Sequence, residues 1–273
     1  MANRNNLANH VYIREALPTE HDTIARLLTR AFAQDPSMNW FGSVSHLVPV
    51  PSADDMKATP LWRLPKELEL LYYFRYAYVI SAHLSGGHIT VAVRPEPDGS
   101  EKIVSVAAWF PPGAKIDNPL IILKSKQHRT LFGSWRRPGG WGLRGLKRVL
   151  LEVTPVIDAS HIKHFKSHGL DYRESWTLSN VATDPDEKGK GYCRLVLNYG
   201  LERLVGNSPV CLDAGTPKSR DVYEHFGFQV TEALLFGAGK VTEQGLPPQK
   251  GSTESLPGFP SWTMILFQKL AQS

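Results

Sequence analysis

The run Leu178-Ser-Asn-Val-Ala-Thr-Asp-Pro-Asp-Glu-Lys-Gly-Lys-Gly-Tyr-Cys193 constrains this chain more than any other segment. Trp176–Ala182 reads as an apolar strand that ends at Asp184-Pro185, a turn signal. Gly189 and Gly191 then permit a tight turn, and Gly191–Val205 reads as a helix with Leu197, Leu201, Leu204 and Val205 on its buried stripe. A strand passing straight into a helix through glycines leaves main-chain N–H groups unpaired at the helix start. Gly191 has no Cβ, so a ligand can approach the backbone there. Those N–H groups, at the positive end of the helix dipole, can cradle a diphosphate, with Lys188 and Lys190 adding charge from the rim. A solvent-exposed turn with two glycines is the plainer alternative. The segment matches neither the GxGxxG dinucleotide fingerprint nor the GxxxxGK[ST] phosphate loop.

The flanking pattern alternates between strands and helices. Val11–Ala16 reads as an opening strand and Glu20–Phe32 as a helix; Asp35-Pro36 breaks the pattern, and Val44–Thr59 reads as loop. Pro65 opens a helix that runs to about His83 and stops near Gly86-Gly87. His88–Arg94 and Lys102–Phe110 flank Pro95-Glu96-Pro97-Asp98-Gly99 as an antiparallel hairpin. Residues 114–173 predict a helical insertion within a single domain spanning 1–273. It holds helices at Pro119–Thr130 and Trp141–Ile157, with a third at Ser160–His168. Strands at Pro209–Asp213, Phe228–Phe236 and Trp262–Phe267, and a helix at Ser219–His225, complete an α/β (α+β) order that predicts a mixed sheet with helices packed on it.

With 42% hydrophobic and 21% charged residues, the chain can build a core. Its net charge of +5 suits polyanions, including cofactors that carry several phosphates. Lys124, Lys126, Arg129, Arg136, Arg137, Arg144, Lys147 and Arg148 crowd into Ile121–Leu151 with no acidic residue. That stretch reads as facing nucleic acid or a membrane, as a phosphate contact, or as a solvated basic surface. Cys193 and Cys211, the only cysteines, make neither a disulfide framework nor a metal cluster, so a reducing, cytoplasmic or also nuclear setting is expected. No apolar run approaches the roughly 20 residues that span a bilayer, and no membrane partner is expected. His161, His164 and His168 share a helix face by spacing; with no carboxylate or cysteine partner evident, an exposed face is expected rather than a zinc site.

Lys188-Gly-Lys-Gly-Tyr-Cys193 resembles the Gln/Arg-x-x-Gly-x-Gly/Ala turn of the GCN5-related N-acetyltransferase superfamily. Gly191 takes the place of the central glycine, Lys188 replaces the usual Gln/Arg, and Cys193 replaces the small final residue. The resemblance continues through Val210-Cys-Leu-Asp-Ala214 and Asp221-Val-Tyr-Glu-His-Phe-Gly-Phe228, which is similar to the family's Tyr-Glu-x-x-Gly-Phe ending. Its specific part covers Trp176–Val230.

The resemblance implies a mostly antiparallel sheet whose central strands, Trp176–Ala182 and Pro209–Asp213, splay around the pantetheine arm of acetyl-CoA (CoA). Backbone groups at Asn180, Val181 and Ala182 would pair with that arm as an added strand does, and one N–H there would polarise the thioester oxygen. Lys188, Gly189, Lys190, Gly191, Tyr192 and Cys193, with Arg194 just inside the helix, would hold the diphosphate. The implied reaction is direct attack by a bound amine through a tetrahedral intermediate. Tyr223 would protonate the departing thiolate, since a phenol with a reference pKa of about 10 keeps its proton near neutral pH. Packing of Tyr223 with Phe226 and Phe228 against the sheet is the alternative role.

The base is less defined. Trp176-Thr177 stands where some family members carry a glutamate, and Glu174 is off the pattern. Asp213 can deprotonate an amine through water or can cap a helix or fix a loop; Glu69 and His83 are further candidates. Cys193, with no histidine in the local pattern, reads as a small packing residue rather than a nucleophile. The leading acceptor is a small amine, aromatic or xenobiotic, in a pocket walled by Leu71–Tyr78 and the Trp-containing insertion. Transfer to oxygen, to protein lysine or to a protein N-terminus are alternatives. So is a non-catalytic acyl-CoA-binding or nucleic-acid-associated protein, although nucleic acid is not the expected partner. Monomer and homodimer are both compatible with the sequence.

Overall fold

Apolar, β-branched runs between turn residues become strands β1 (Tyr12–Glu15), β2 (His88–Pro95) and β3 (Glu101–Phe110). The computed structural model describes residues 11–114, 119–249, 251 and 254–267. A two-strand ribbon, β4 (Gly133–Ser134) with β5 (Arg137–Pro138), stands apart from the main sheet. β6 (Trp176–Thr183), β7 (Val210–Ala214), β8 (Gln229–Phe236) and β9 (Phe259–Leu266) complete a seven-stranded sheet in the order β1-β2-β3-β6-β7-β9-β8.

Every neighbouring pair in that sheet is antiparallel except β6 with β7. Those two meet in parallel only at Trp176↔Val210 and Thr177↔Cys211. Beyond that point β6 follows β3 as far as Thr183, whereas β7 follows β9 as far as Ala214. The sheet therefore opens into a V at its centre. The mixed sheet with packed helices matches the pattern of the sequence, and its mostly antiparallel order with splayed central strands is the architecture that the family resemblance implies.

Helices cover both faces. On one, α1 (His21–Ala31) and α4 (Lys66–Leu84) lay Ile24, Leu28, Val79 and Ala82 over Val91, Val106 and Ala182. Phe110, Thr177 and Cys211 are register partners, so they share this face, and α8 (Thr154–Ser167) covers its far end with Phe165 against Cys211 and Ile265. The other face carries α9 (Tyr192–Gly200) and α10 (Pro217–His225), whose Val196, Leu197 and Tyr223 pack with Trp109, Leu178 and Leu212.

Several local readings change in three dimensions. Asp35-Pro36 ends α1 and also starts α2 (Pro36–Gly42), because Asp35 Oδ1 accepts from the N–H groups of Ser37 at 3.0 Å and Met38 at 3.1 Å. Inside the expected loop at Val44–Thr59, Ser52 caps α3 (Ala53–Ala58), a helix too short to show periodicity. Pro119–Thr130 is two helices, α5 (Pro119–Lys124) and α6 (His128–Phe132), parted at Lys126 with φ of 61°. Trp141–Ile157 and Ser160–His168 do the reverse and fuse. α7 (Gly142–Lys147), a π turn over Arg148–Val153 and α8 run as one rod over 142–167. Pro155 is tolerated there because it follows the wide turn, where the regular hydrogen-bond ladder is already interrupted.

Gly200 decides how closely α9 approaches the sheet. A Cβ built on it would lie 2.1 Å from Cε2 and Cζ2 of Trp109, an indole with no exposed surface. Alanine is the better helix former by roughly 1 kcal/mol. Gly200→Ala is nevertheless expected to destabilise the fold by about 1–3 kcal/mol through overpacking. The measurement is the urea midpoint, and an unchanged or raised midpoint would show that α9 does not rest on Trp109.

A candidate active site where two strands part

The V between β6 and β7 holds a cleft of about 450 Å³. Its walls include Val181, Ala182 and Thr183 from β6, Lys188 and Cys193 from the following turn and α9, Asp213 from β7, and Tyr223 from α10; Phe32 and Asp35 reach it from the α1–α2 junction. The Asp184 N–H donates to Val104 O at 2.9 Å, which fixes the phase of the β3–β6 ladder. Main-chain groups alternate sides along a strand, so Ala182 and Asn180 also turn theirs to β3, while Val181 and Thr183 turn theirs to the opening. Of the three residues expected to pair with a ligand arm, Val181 alone has the right backbone orientation. The Asn180 side chain is buried under α4, where its Oδ1 accepts from Arg75 Nη1 at 2.6 Å.

The turn has the form an anion needs. Gly189 and Gly191 adopt φ of 83° and 80°, the left-handed region that favours glycine. A Cβ added at either would meet nothing within 4 Å, so the lip is open. Gly191 is the N-cap of α9 and no side chain caps it, which leaves the first-turn N–H groups of Tyr192, Cys193 and Arg194 free to bind an anion. Lys188 lines the cleft, and Arg194 is exposed on the first turn of α9. These residues fit a diphosphate. Lys190, expected to add free charge at the rim, is instead tied back to Glu187 Oε2 at 2.6 Å.

Two ion-pair networks hold this turn. Glu187 also accepts from Arg94 Nη1 at 2.8 Å and Lys102 Nζ at 3.1 Å. Burial alone would raise its carboxyl, but the hydrogen bonds from Lys190 and Lys102 and the neighbouring charges outweigh burial and hold it at about 2. On the opposite side, the buried Arg30 donates to Asp184 at 2.5 Å and to Asp186 at 2.8 Å.

Tyr223 both packs and faces the cleft. Its ring meets Phe228 edge-on at 5.9 Å, and no described residue hydrogen-bonds its hydroxyl. Burial raises its pKa above that of an ordinary phenol, and the Cys193 and Asp213 charges push the same way. Burial likewise pushes the Cys193 thiol up to about 11, which suits a packing residue better than a nucleophile.

Asp213 has a partner that its sequence neighbourhood does not reveal. Its Oδ1 accepts from His161 Nε2 at 3.0 Å. The expectation of an exposed histidine face therefore fails at His161. That ring is 2% exposed and lies parallel to Tyr172, with centroids 5.6 Å apart. His161 Nδ1 has no hydrogen-bond partner, so Nε2 carries the proton that meets the carboxylate. His164 sits 3.4 Å from Glu232, and His168 stacks on Phe267 at 4.2 Å. The three rings do not converge, and no metal-holding group of three ligands occurs among the described residues.

The other candidate bases lie elsewhere. Glu69 is buried and accepts from the Tyr73 hydroxyl at 3.0 Å; His83 meets the ring of His21 at 5.4 Å; Glu174 is exposed in a single helical turn. None of these three lines the cleft, and neither does the Leu71–Tyr78 segment of α4. The cleft is walled on that side instead by Phe32 and Asp35, which the break at Asp35-Pro36 places over the V.

No protein-family profile matches the chain. Among solved structures, the mosquito arylalkylamine N-acetyltransferase like 5b aligns with a TM-score of 0.51 at 15% identity, covering 94% of this chain and 99% of that one. A "histone acetyltransferase HPA2 and related acetyltransferase" of Corynebacterium glutamicum aligns with a TM-score of 0.50 at 18% identity, over 96% and 99%. The fold is that of the GCN5-related N-acetyltransferases. By sequence, the chain is 26% identical over 164 residues to an uncharacterized N-acetyltransferase of Schizosaccharomyces pombe, a match to 58% of each protein. The chain thus spans 58% of the length of the curated relatives it matches.

The Glu187 cluster gives the glycine turn an acid dependence whose sign follows from the depressed pKa. Stability from a carboxylate lowered from 4.5 to about 2 is complete above the unfolded value and is lost as pH falls through the folded one. Glu187→Gln should therefore unfold at a lower temperature than the parent at neutral pH. The gap should close between about 4.5 and 2 when thermal unfolding is followed at stepped pH. A gap that persists unchanged to the acid end would contradict the clamp.

Proposed function

We propose that the protein transfers an acetyl group from acetyl-CoA directly to a small amine. The observation that carries this reading is the convergence, in one cleft, of an uncapped helix start, a strand backbone turned to the opening at Val181, and the Tyr223 phenol. Acetyl-CoA supplies the activated acyl group as a thioester. The first-turn N–H groups of α9 and Lys188 bind its diphosphate. The Val181 N–H faces the opening, which supports its donating to the acyl oxygen as charge develops there.

Proton handling divides between the two sides of the V. Tyr223, kept protonated by burial, gives its proton to the sulfur as the carbon–sulfur bond breaks. Asp213, fixed by His161, draws the proton of the incoming ammonium through water. With Asp35 it forms an anionic wall that suits a cationic amine, while Phe32 offers apolar surface to the rest of the acceptor. Arg30 lines the same cleft but is neutralised by Asp184 and Asp186. The name of the mosquito neighbour, an arylalkylamine N-acetyltransferase, supports an amine that carries an aromatic group.

The reading is tested by CoA-thiol release across a panel of amines, alcohols and peptides, with arylalkyl amines expected to give the fastest release. Tyr223→Phe should lower kcat by about a hundredfold or more while leaving acetyl-CoA affinity unchanged. Gly191→Val, strained by its positive φ and projecting into the lip, should lose acetyl-CoA affinity while staying folded. Retained affinity with no turnover on any acceptor would make the protein an acyl-CoA binder. A folded Gly191→Val variant with unaltered affinity would remove the cofactor site from the turn.

A further inference from the structure

The 142–167 rod has two unlike sides. Inward, Gly145 packs against Trp141 and Phe41, and Val153 and Phe165 are buried. Outward, Leu143 is 81% exposed and Leu151 69%, with Leu150 also exposed. Leu143, Lys147, Leu150 and Leu151 recur at helical spacing, so they lie on one stripe. The neighbouring ribbon adds Trp135 at its tip, 87% exposed, and Phe132 precedes it.

Cations are set among these apolar groups. The Arg136 guanidinium lies 5.1 Å from the ring of Trp135 and 5.2 Å from that of Trp62. A groove of about 400 Å³ beside Leu143 is walled by Arg144, Lys147, Arg148 and Lys240, with Glu152 as its one carboxylate. Glu152 pairs with Lys147 at 3.7 Å and Lys240 at 3.5 Å. No described carboxylate pairs with Arg144 or Arg148, and burial together with the Arg144 charge lowers the Arg148 pKa.

Each simple partner satisfies only part of this surface, except one. Water leaves the leucines and Trp135 exposed as a patch. A second copy would press like charges together. Nucleic acid would engage the cations but leave the aliphatic stripe wet. An anionic lipid surface answers both halves: leucine and tryptophan enter the headgroup–acyl boundary, and Lys and Arg meet lipid phosphates. We propose that the outer face of the rod and the adjoining ribbon dock the protein on anionic membrane, with the Arg144–Arg148 groove receiving a phospholipid phosphate. This surface lies outside the cleft and stands independently of the acyl-transfer reading.

The test is co-sedimentation of the full chain with vesicles of phosphatidylcholine alone and of phosphatidylcholine mixed with phosphatidylserine. Binding is expected only to the mixed vesicles and should weaken as salt rises. Arg144→Gln and Lys147→Gln should each lower partitioning about fivefold. Leu143→Ser combined with Leu151→Ser should abolish it, with circular dichroism confirming that each variant is folded. Equal binding to neutral vesicles would overturn the proposal, as would no binding at low salt or indifference to these variants. Preferential retention of a single-stranded oligonucleotide would overturn it in favour of nucleic acid.

Discussion

Two backbone pairs join β6 to β7, and the cleft exists because a third does not form. Parallel strands that start in register tend to continue, so keeping them apart requires each to be claimed by something else. β7 is paired along its whole length with β9, from Val210↔Leu266 to Ala214↔Trp262, and Phe165 of α8 presses on Cys211. β6 is paired with β3 and is held from α4 by the Arg75–Asn180 bond. The main-chain groups of Val181 and Thr183 are left facing the gap. Unpaired backbone groups of that kind must be met by water or by a ligand.

The same economy positions the turn. The missing side chain of Gly200 seats α9 against Trp109, and this sets where the other end of the helix points its free N–H groups. Between strand and helix, Arg30 holds Asp184 and Asp186 on one side, and Glu187 gathers Arg94, Lys102 and Lys190 on the other. Tyr223 reaches the cleft from a helix with its own anchor, a capping box in which the Thr216 hydroxyl accepts from the Ser219 N–H at 3.1 Å. The cleft thus sits between rigid elements whose ends are fixed by local contacts.

What the sequence disclosed about this arrangement was largely local. The strand, the glycine turn and α9 were legible because a positive φ demands glycine and because apolar periodicity survives in a helix packed on one side. Tyr223 and the turn line one cleft, an arrangement implied by the resemblance of Asp221–Phe228 to the family motif and not by any local pattern. Distant contacts were not legible. His161 and Asp213 are 52 positions apart, and the buried face of α8 carries the polar Ser160 and His161 while Val156 and Ile162 lie exposed, so its histidines carry no clear amphipathic signal. The alternation that selects Val181 over Asn180 and Ala182 depends on the register with β3, which no single segment encodes. Lys190 is the opposite case: its partner Glu187 is three residues away, and only the burial of that carboxylate was hidden.

The fused rod joins two regions that its sequence presents as separate helices. His161 points inward near one end and Leu143 outward near the other, on a backbone helical throughout 142–167. Leu143 on the exposed face and the His161 ring that holds the Asp213 carboxylate thus belong to one helical body. The π turn at Arg148–Val153, where the helix is widest, lies between those two positions and keeps them on a single continuous axis instead of the two separate helices that the sequence presents.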